Sequence, residues 1–311
     1  MVAQIGEKAW RAFSPGIFPR SEALVRATRD LDRGRTTEEA AAEQRARDVD
    51  ELVSVQEAAG LDLLSDGMLD WQDLFRPLAE RCDGLEARPL ARFLDTNTFY
   101  RALVVTGRPR LREPVPAPSL PPGRWVGTLP SPYALSRASG GEVSAAHFAE
   151  AVLAPQIEAW AAAGVAELVL QEPFLAREPD GLEGLAAALR ELPRPAPLVL
   201  QLVFGDAAPV VGACADLAVD GIGVDFYATA LNAMPVGFSK RVVAGVVDAR
   251  STALEDPAEI AAFALALARR EPAGVDLVPN GDLQFVPEPI AREKVLRLGQ
   301  AAALFGTELL G

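Results

Sequence analysis

The stretch Leu168-Val169-Leu170-Gln171-Glu172 is a short apolar run that ends in an amide and an acid. Four other stretches have the same form: Leu63-Leu64-Ser65-Asp66, Ile222-Gly223-Val224-Asp225, Val246-Val247-Asp248 and Leu277-Val278-Pro279-Asn280. Buried parallel strands have this apolar composition, and α/β proteins keep their chemistry at the carboxyl ends of such strands. We therefore expect a parallel sheet with a site rich in acids and amides at its carboxyl edge.

These runs belong to a regular alternation of strand-like and helix-like segments. Strands are predicted for residues 13–18, 61–66, 125–129, 167–172, 197–204, 221–226, 241–248 and 274–278. The main helices are predicted for residues 37–59, 143–163, 181–192, 208–217, 256–270 and 289–309. The strand count predicts an α/β fold, a single (β/α)8 TIM barrel over residues 1–311, with its site at the carboxyl ends of the strands.

Residues 92–132 interrupt this alternation. Two extended stretches, 92–94 and 100–106, predict a hairpin-like excursion after the second strand and helix unit, followed by a proline-rich loop. A doubly wound open sheet is the alternative fold. The region around Ser14 lacks the glycine-rich phosphate turn that such folds use, so the barrel is favoured.

Composition excludes several classes of protein. The 311 residues are 50% hydrophobic and 23% charged, which is enough to bury a sizeable core. The net charge of −13 would repel a phosphate backbone, so we expect no nucleic-acid and no membrane partner. Cys82 and Cys214 fit neither a disulfide framework nor metal-ligand spacing, and residues 1–12 lack a secretory signal. A cytoplasmic protein with a small-molecule substrate is expected.

Seven different motifs follow one another along the chain. They are Asp66-Gly67-Met68 with Trp71 and Asp73, Phe93-Leu94-Asp95-Thr96-Asn97 with Phe99-Tyr100-Arg101, Gln171-Glu172-Pro173, Phe204-Gly205-Asp206, residues 219–226, residues 245–250, and Pro279-Asn280-Gly281-Asp282-Leu283. Together they resemble cobalamin-independent methionine synthase. The closest resemblance is to its short single-barrel archaeal and thermophile relatives and to the amino-terminal barrel of the long enzyme.

The resemblance implies a zinc centre that this chain does not retain. In that family zinc activates the homocysteine thiol, through a His-x-Cys pair, a Glu and a Cys at three strand ends. The corresponding positions fall near Leu202 and Phe204, near Asp225, and near Gly281. A carboxylate alone does not hold zinc tightly, so we expect a degenerate zinc site and no bound cofactor. Folate or methylcobalamin remains possible as the methyl-donor substrate.

The amino-acid pocket of the family is altered as well. The acid that receives the substrate ammonium is replaced by Gln171, and the residues after the glycines of the first two strands are Ile17 and Met68. The departures from the family are thus concentrated at its chemistry, while the scaffold motifs remain.

We assign candidate roles to nine residues. The candidate catalytic residues are Glu172, Asp225 and Asp248, and the candidate substrate-binding residues are Asp66, Gln171, Arg250, Asn280, Asp282 and Arg20. No metal ligand is predicted.

Each of these candidates also has a structural interpretation. Glu172 would cap the following loop, Asp248 and Arg250 would form a structural ion pair, and Asp66 would make a turn. Arg20 would belong to a solvated helix face rather than dock a folate tail, as its counterpart in the long enzyme is expected to do. His147, the only histidine, is expected to be structural or solvated.

Two functions follow from these patterns. The first is a methionine-synthase-like methyltransferase, with homocysteine or a related acceptor and a folate- or corrinoid-type methyl donor. The second is a non-catalytic companion that pairs with a separate zinc-bearing methionine-synthase-like barrel, as the amino-terminal half of the long enzyme does within one chain.

Overall fold

A computed structural model of the chain describes residues 10–94 and 98–310. Asp95 and Asn97 of the second motif lie outside the described residues. The strands and α-helices are, in order, β1 (Trp10–Ala12), α1 (Glu22–Asp32), α2 (Glu38–Ala58), α3 (Arg76–Ala79), β2 (Cys82–Arg92), β3 (Phe99–Leu111), β4 (Val126–Pro130), α4 (Pro132–Ala138), α5 (Ala145–Phe148), α6 (Ala154–Ala162), β5 (Glu167–Glu172), α7 (Leu182–Arg190), β6 (Leu198–Leu202), β7 (Gly221–Asp225), β8 (Arg241–Val247), α8 (Pro257–Ala268), β9 (Gly274–Pro279) and α9 (Glu288–Leu310).

Seven of the strands form one parallel sheet in the order β1-β9-β8-β7-β6-β5-β4. The sheet is curled, which is evident from the side chains of its two edges that meet inside it. Phe13, which follows β1, and Val126 of β4 belong to one buried apolar cluster, with valines of β5, β6, β8 and β9. The outer face of the sheet packs against the helices. An α/β fold with a parallel sheet was predicted, and the structure has one.

The predicted strand at residues 61–66 is the clearest departure. Only Leu64 makes a strand-like bridge, with Trp125, although the Asp62 N–H donates to the Ala12 carbonyl at 2.8 Å. Side chains replace the missing ladder bonds. The Asp62 carboxylate accepts the Ala12 N–H at 2.9 Å, and the Gln56 amide bonds both backbone groups of Ser65, at 2.8 and 2.9 Å. The segment lies between β1 and β4.

A second departure concerns two predicted helices. The helix expected over residues 143–163 is divided into α5, a π-helical turn over residues 149–153, and α6. Pro155 in the first turn of α6 has no N–H to continue a regular ladder, which accounts for the irregular turn. The helix expected over residues 208–217 is reduced to a 3-10 turn, Ala213–Asp216, because Pro209 and Gly212 interrupt the stretch.

The excursion after the second unit is an antiparallel pair, β2 with β3. It begins at Cys82, ten residues before the break that the sequence indicates. His147 of α5 ties the helix to this pair, since its Nε2 lies 2.7 Å from the Pro109 carbonyl. Both cysteines are buried and free. Among residues 10–94 and 98–310, no helix is long and apolar enough to cross a membrane.

The amino-terminal ends of the strands carry a network of four charged residues, which we call the charged floor: Arg11, Glu167, Arg241 and Asp276. The Arg11 guanidinium lies 2.5 Å from the Glu167 carboxylate and 2.7 Å from the Asp276 carboxylate. Arg241 reaches the other oxygen of Asp276 at 2.6 Å. Both acidic side chains are fully buried, so their charges depend on these two arginines.

Asp276→Ala is expected to destabilise the protein by about 3–5 kcal/mol, because two arginines would lose their buried partner beside Glu167. The free energy of unfolding, measured by urea denaturation, tests this. As a control, Asp70→Ala removes an exposed ion pair with Arg45 and should cost less than about 1 kcal/mol. Equal losses in the two variants would contradict the structural role of the floor.

Candidate active site

At the carboxyl ends of the strands, Asp282 organises a buried group of polar side chains. Its Oδ1 accepts hydrogen bonds from the Gln171 side-chain amide at 2.7 Å and from the Ile17 N–H at 3.1 Å. Its Oδ2 accepts one from the Gln284 side chain at 3.0 Å. Burial raises the pKa of Asp282, while these donors favour its charged form. The structure thus brings together Gln171 and Asp282, two of the predicted site residues.

Gly16 allows this arrangement because its backbone approaches Asp282 very closely. A Cβ at this position would lie 2.2 Å from Asp282 Oδ1 and 2.7 Å from the Gln171 amide nitrogen. The residue also has a φ of +87°, which disfavours any side chain. Its N–H donates to the Thr128 hydroxyl at 3.1 Å, which connects the loop after β1 to β4.

A second group forms around Asp225, at the end of β7. Its Oδ1 accepts hydrogen bonds from the Asn280 side-chain amide and from the Tyr227 N–H, both at 3.0 Å. The same Asn280 amide lies 3.4 Å from Asp248 Oδ1, so three predicted site residues meet here. Asp225 is fully buried, and burial raises its pKa. Its Oδ2 has no hydrogen-bond partner among the described residues.

Arg250 stands beside this group. Its guanidinium carbon lies 4.7 Å from the centre of the Phe204 ring, a cation–π distance. The Arg250 N–H donates to Asp248 Oδ1 at 3.0 Å, so the Asp248 side chain makes a local turn in the loop after β8. The exposed side chain of Arg250 thus lies at the rim of the Asp225 group.

Phe204 fills the position between the two groups. Its ring lies directly over Gly281, where a Cβ would be 2.4 Å from the ring. The ring also makes an edge contact with Phe285 at 5.3 Å, and Phe285 stacks on Phe93 of the excursion at 6.0 Å. We call these three rings the aromatic cover. A small cavity of about 10 Å³, lined by Phe93, Phe285 and Asp282, lies next to this cover.

The residues present do not fit a zinc ion. Of the positions implied by the resemblance, Leu202 and Phe204 are buried hydrophobic residues and Gly281 has no side chain. Asp225 alone carries a ligand atom. Within residues 10–94 and 98–310, no group of three His, Cys, Asp or Glu side chains is arranged to hold a metal.

Glu172 is engaged by the loop that follows it. Its Oε1 accepts the N–H groups of Phe174 and Leu175, at 2.8 and 3.1 Å, and its Oε2 is hydrogen bonded to the Ser131 hydroxyl. Burial raises the pKa of Glu172 to about 7. These contacts correspond to the capping interpretation, and they use both oxygens of the carboxyl group.

Asp66 and Arg20 lie at the loops after the first two strand positions. Asp66 accepts the Met68 N–H at 2.9 Å, as the turn interpretation requires, and its surroundings raise its pKa to about 6 by desolvation. Arg20 is partly buried, which lowers its pKa. Among the described residues, no hydrogen bond or ion pair joins Asp66 or Arg20 to the Asp225 group.

Three residues of this region are not among those that the sequence indicates: Thr128, Ser131 and Phe285. Ser131 had a detectable signal, because a Ser-Pro pair directly after a strand is typical of a helix start, and its hydroxyl does accept the Ala134 N–H of α4. The contacts of Thr128 and Phe285 depend on distant segments, so no local pattern indicates them.

Comparison with known proteins gives matches only among solved structures. No protein-family model and no curated protein matches the chain. The B12-independent methionine synthase from Shewanella sp. W3-18-1, in complex with selenomethionine, superposes with a TM-score of 0.71 at 18% identity, over 89% of this chain and 92% of that chain. The chain has the methionine synthase fold.

Two further structures agree with this assignment of the fold. A candidate vitamin-B12-independent methionine synthase from Listeria monocytogenes gives a TM-score of 0.70 at 16% identity, covering 93% of this chain and 96% of that chain. A methyltransferase from Methanosarcina mazei gives 0.51 at 16% identity, with 86% of each chain covered. The family resemblance read from the sequence is therefore confirmed at the level of the fold.

The raised pKa of Glu172 predicts a pH-dependent stability. Proton binding by the folded state stabilises it fully below the ordinary pKa of 4.5, and this contribution is lost as pH rises through about 7. The free energy of unfolding of Glu172→Gln, relative to that of the wild type, should therefore rise by roughly 1–3 kcal/mol between about pH 4.5 and about pH 8. Urea denaturation across this range measures the difference. The exposed Glu191→Gln should show no such trend, and a pH-independent difference for Glu172→Gln would refute the assignment.

The close contact between Phe204 and Gly281 can be tested by a double-mutant cycle. Gly281→Ala should cost about 1–3 kcal/mol through overpacking, and Phe204→Ala about 3–5 kcal/mol through the cavity it leaves. The double variant should cost less than the sum by at least about 1 kcal/mol, since the new methyl group occupies the vacated space. Gly184→Ala, where nothing lies within 4 Å, is the control and should not destabilise. Additive losses would show that the two positions do not share this space.

Proposed function

We propose that this chain is a methionine-synthase-like methyltransferase that binds its acceptor at the carboxyl ends of β7 to β9 without a zinc ion. The observation that carries this proposal is the buried Asp225, whose Oδ2 has no partner among the described residues. A buried carboxylate oxygen without a donor is costly, and a ligand that donates a proton or a hydrogen bond would satisfy it. The methionine synthase fold supports the same class of reaction.

The proposed reaction joins a proton transfer to a methyl transfer. Asp225 takes the proton from a thiol such as homocysteine or from a related acceptor, and burial makes it a stronger base than an ordinary aspartate. The freed electron pair of the acceptor forms a bond to the methyl carbon. The bond between this carbon and a folate- or corrinoid-type donor breaks, its electron pair leaves with the donor, and a folate donor takes up the proton.

The neighbouring residues would position the reactants. Asn280 holds Asp225 in place through its side-chain amide, at 3.0 Å. Arg250, at the rim, has the planar guanidinium that binds a substrate carboxylate, while Asp248, Gln171 and Asp282 offer acceptors to an ammonium group. Glu172 and Asp66 remain predictions as site residues, because their observed contacts are those of a loop cap and a turn. Arg20 remains a prediction for the donor's acidic tail.

We also propose that the curled sheet closes into a single-domain (β/α)8 barrel. Residues 61–66 would supply the eighth strand position, which is supported by the Leu64–Trp125 bridge on one side and the Asp62–Ala12 hydrogen bond on the other. Leu63 also joins the apolar cluster inside the sheet. The two free cysteines favour a reducing compartment, so a cytoplasmic location remains our proposal.

A companion role is the second candidate, and the aromatic cover favours it. Phe204, at a position where the resemblance implies a metal ligand, packs against Phe285, and Phe285 stacks on Phe93. A chain of this kind would keep the scaffold, lose the chemistry, and assemble with a separate zinc-bearing methionine-synthase-like barrel. Co-purification with such a barrel, together with no thermal shift from homocysteine, methyl-folate or methylcobalamin, would favour this role over catalysis.

Asp225→Asn is the direct test of the proposed base. An amide keeps the oxygen that accepts from Asn280 and Tyr227 but takes up no proton, so methyl transfer should fall by at least about 100-fold. The thermal shift produced by the acceptor should persist. Asp206→Asn, an exposed aspartate in the loop after β6, is the control and should retain full activity. Unchanged turnover in Asp225→Asn would reject the role of this residue.

A further inference from the structure

A second cavity lies beside the candidate site, between the loop after β7, the loop after β8 and the start of α8. Its volume is about 420 Å³, within the range of pockets that bind small molecules. Asp248 lines it from the side of the candidate site. Of the residues that line it, the methyltransferase proposal assigns a binding role to Asp248 alone.

Aromatic and aliphatic side chains form most of the cavity wall. The rings of Phe226 and Phe263 pack at a tilted angle with centres 4.9 Å apart. Val246 and Ile260 are buried behind the cavity, and half of the Tyr227 side chain is exposed at its rim. Such walls favour a ligand with a flat or apolar body.

The polar end of the cavity is formed by Glu255. Its Oε1 accepts from the buried ammonium of Lys294 at 2.7 Å and from the Asp248 N–H at 2.9 Å. The Tyr227 hydroxyl lies 3.3 Å from the same oxygen. Oε2 is buried and has no partner among the described residues, and the side chain is only 9% exposed. The carboxylate therefore retains an unmet acceptor.

The charged residues around the cavity favour a ligand with a positive charge. Asp248, Asp256 and Glu259 add three more acids to the cavity, and Lys294 is engaged by Glu255 and by the Ala253 carbonyl. Among the described residues that line the cavity, none is Lys, Arg or His. The surplus of acid repels anions and attracts a cation, and the rings add a cation–π contribution.

We propose that this cavity binds a small organic cation with an aromatic or apolar body, such as an amine or an amidinium. Its charged head lies toward Glu255 and the neighbouring acids, and its body lies against Phe226 and Phe263. The loop from Asp248 to Glu255 forms one wall and is held in place by Lys294. The site is therefore formed in the protein before a ligand binds.

Three probes of one shape separate charge from apolar contact: benzamidine, benzamide and benzoate. Binding to the full chain is measured by calorimetry and saturation-transfer NMR. Benzamidine should bind in the millimolar range or tighter, at least about tenfold more strongly than neutral benzamide, and benzoate should not bind. Equal binding of the three probes, or no binding of benzamidine, would overturn the proposal.

Two variants place the binding in this cavity. Ala253→Phe places a ring in the cavity from an exposed position and should weaken the binding of benzamidine at least about tenfold. Glu259→Gln removes one acid without adding volume and should weaken the binding of benzamidine but not of benzamide. Ala262→Phe adds the same ring to an exposed position of α8 outside the cavity and should change nothing. Retained binding in both cavity variants would exclude this site. None of the three changes touches Asp225, so the outcome is independent of methyl transfer.

Discussion

The burial of charge at the amino-terminal ends of the strands constrains the rest of the structure. Glu167 and Asp276 are fully buried, and a buried carboxylate is tolerated only when its partners are close and correctly placed. Arg11 supplies a partner to both acids at once. Because four strands separate β1 from β5 in the sheet, this contact is possible only when the sheet curls until its ends approach each other. The apolar cluster inside the sheet adjoins the floor through Phe13, whose ring centre lies 5.7 Å from the guanidinium carbon of Arg11.

At the carboxyl end of the sheet, the main packing contact is a steric fit between an aromatic ring and a glycine. Phe204 and Gly281 are complementary, because the ring occupies the volume that any side chain at position 281 would need. Phe204 has a φ of +54°, a conformation that is strained for an aromatic residue, so the contacts of its ring must compensate for the backbone. The space over Gly281 is therefore filled by the Phe204 ring. Asp225 Oδ2, by contrast, is buried and has no hydrogen-bond partner among the described residues.

Sequence patterns predict what is local and miss what is distant. The bounds of β5 were predicted at residues 167–172 and are observed there, and the predicted helix after Thr37 is capped by that residue. Periodicity and capping suffice for such elements because their signals lie within one segment. The prediction of a strand at residues 61–66 was wrong, because the side chains of Asp62 and Gln56 form hydrogen bonds where strand ladder bonds were expected. At the site, the sequence indicated the groups around Asp225 and Asp282, and of its two interpretations of Glu172 the observed contacts are those of the loop cap. The charged floor was also missed, although an acid within an apolar strand is itself a signal of a buried partner.

The charged floor and the candidate site thus lie at opposite ends of the same strands. The floor and the inner apolar cluster hold the sheet from the amino-terminal side, and neither involves the loops that carry the candidate site. Substitutions in the loops at the carboxyl ends can therefore leave the contacts of the floor and of the inner cluster intact. This separation explains how a chain that is 18% identical to a methionine synthase retains its architecture over 89% of its length. It also explains why both proposed functions share one scaffold: catalysis and assembly differ only in whether the aromatic cover admits an acceptor to Asp225.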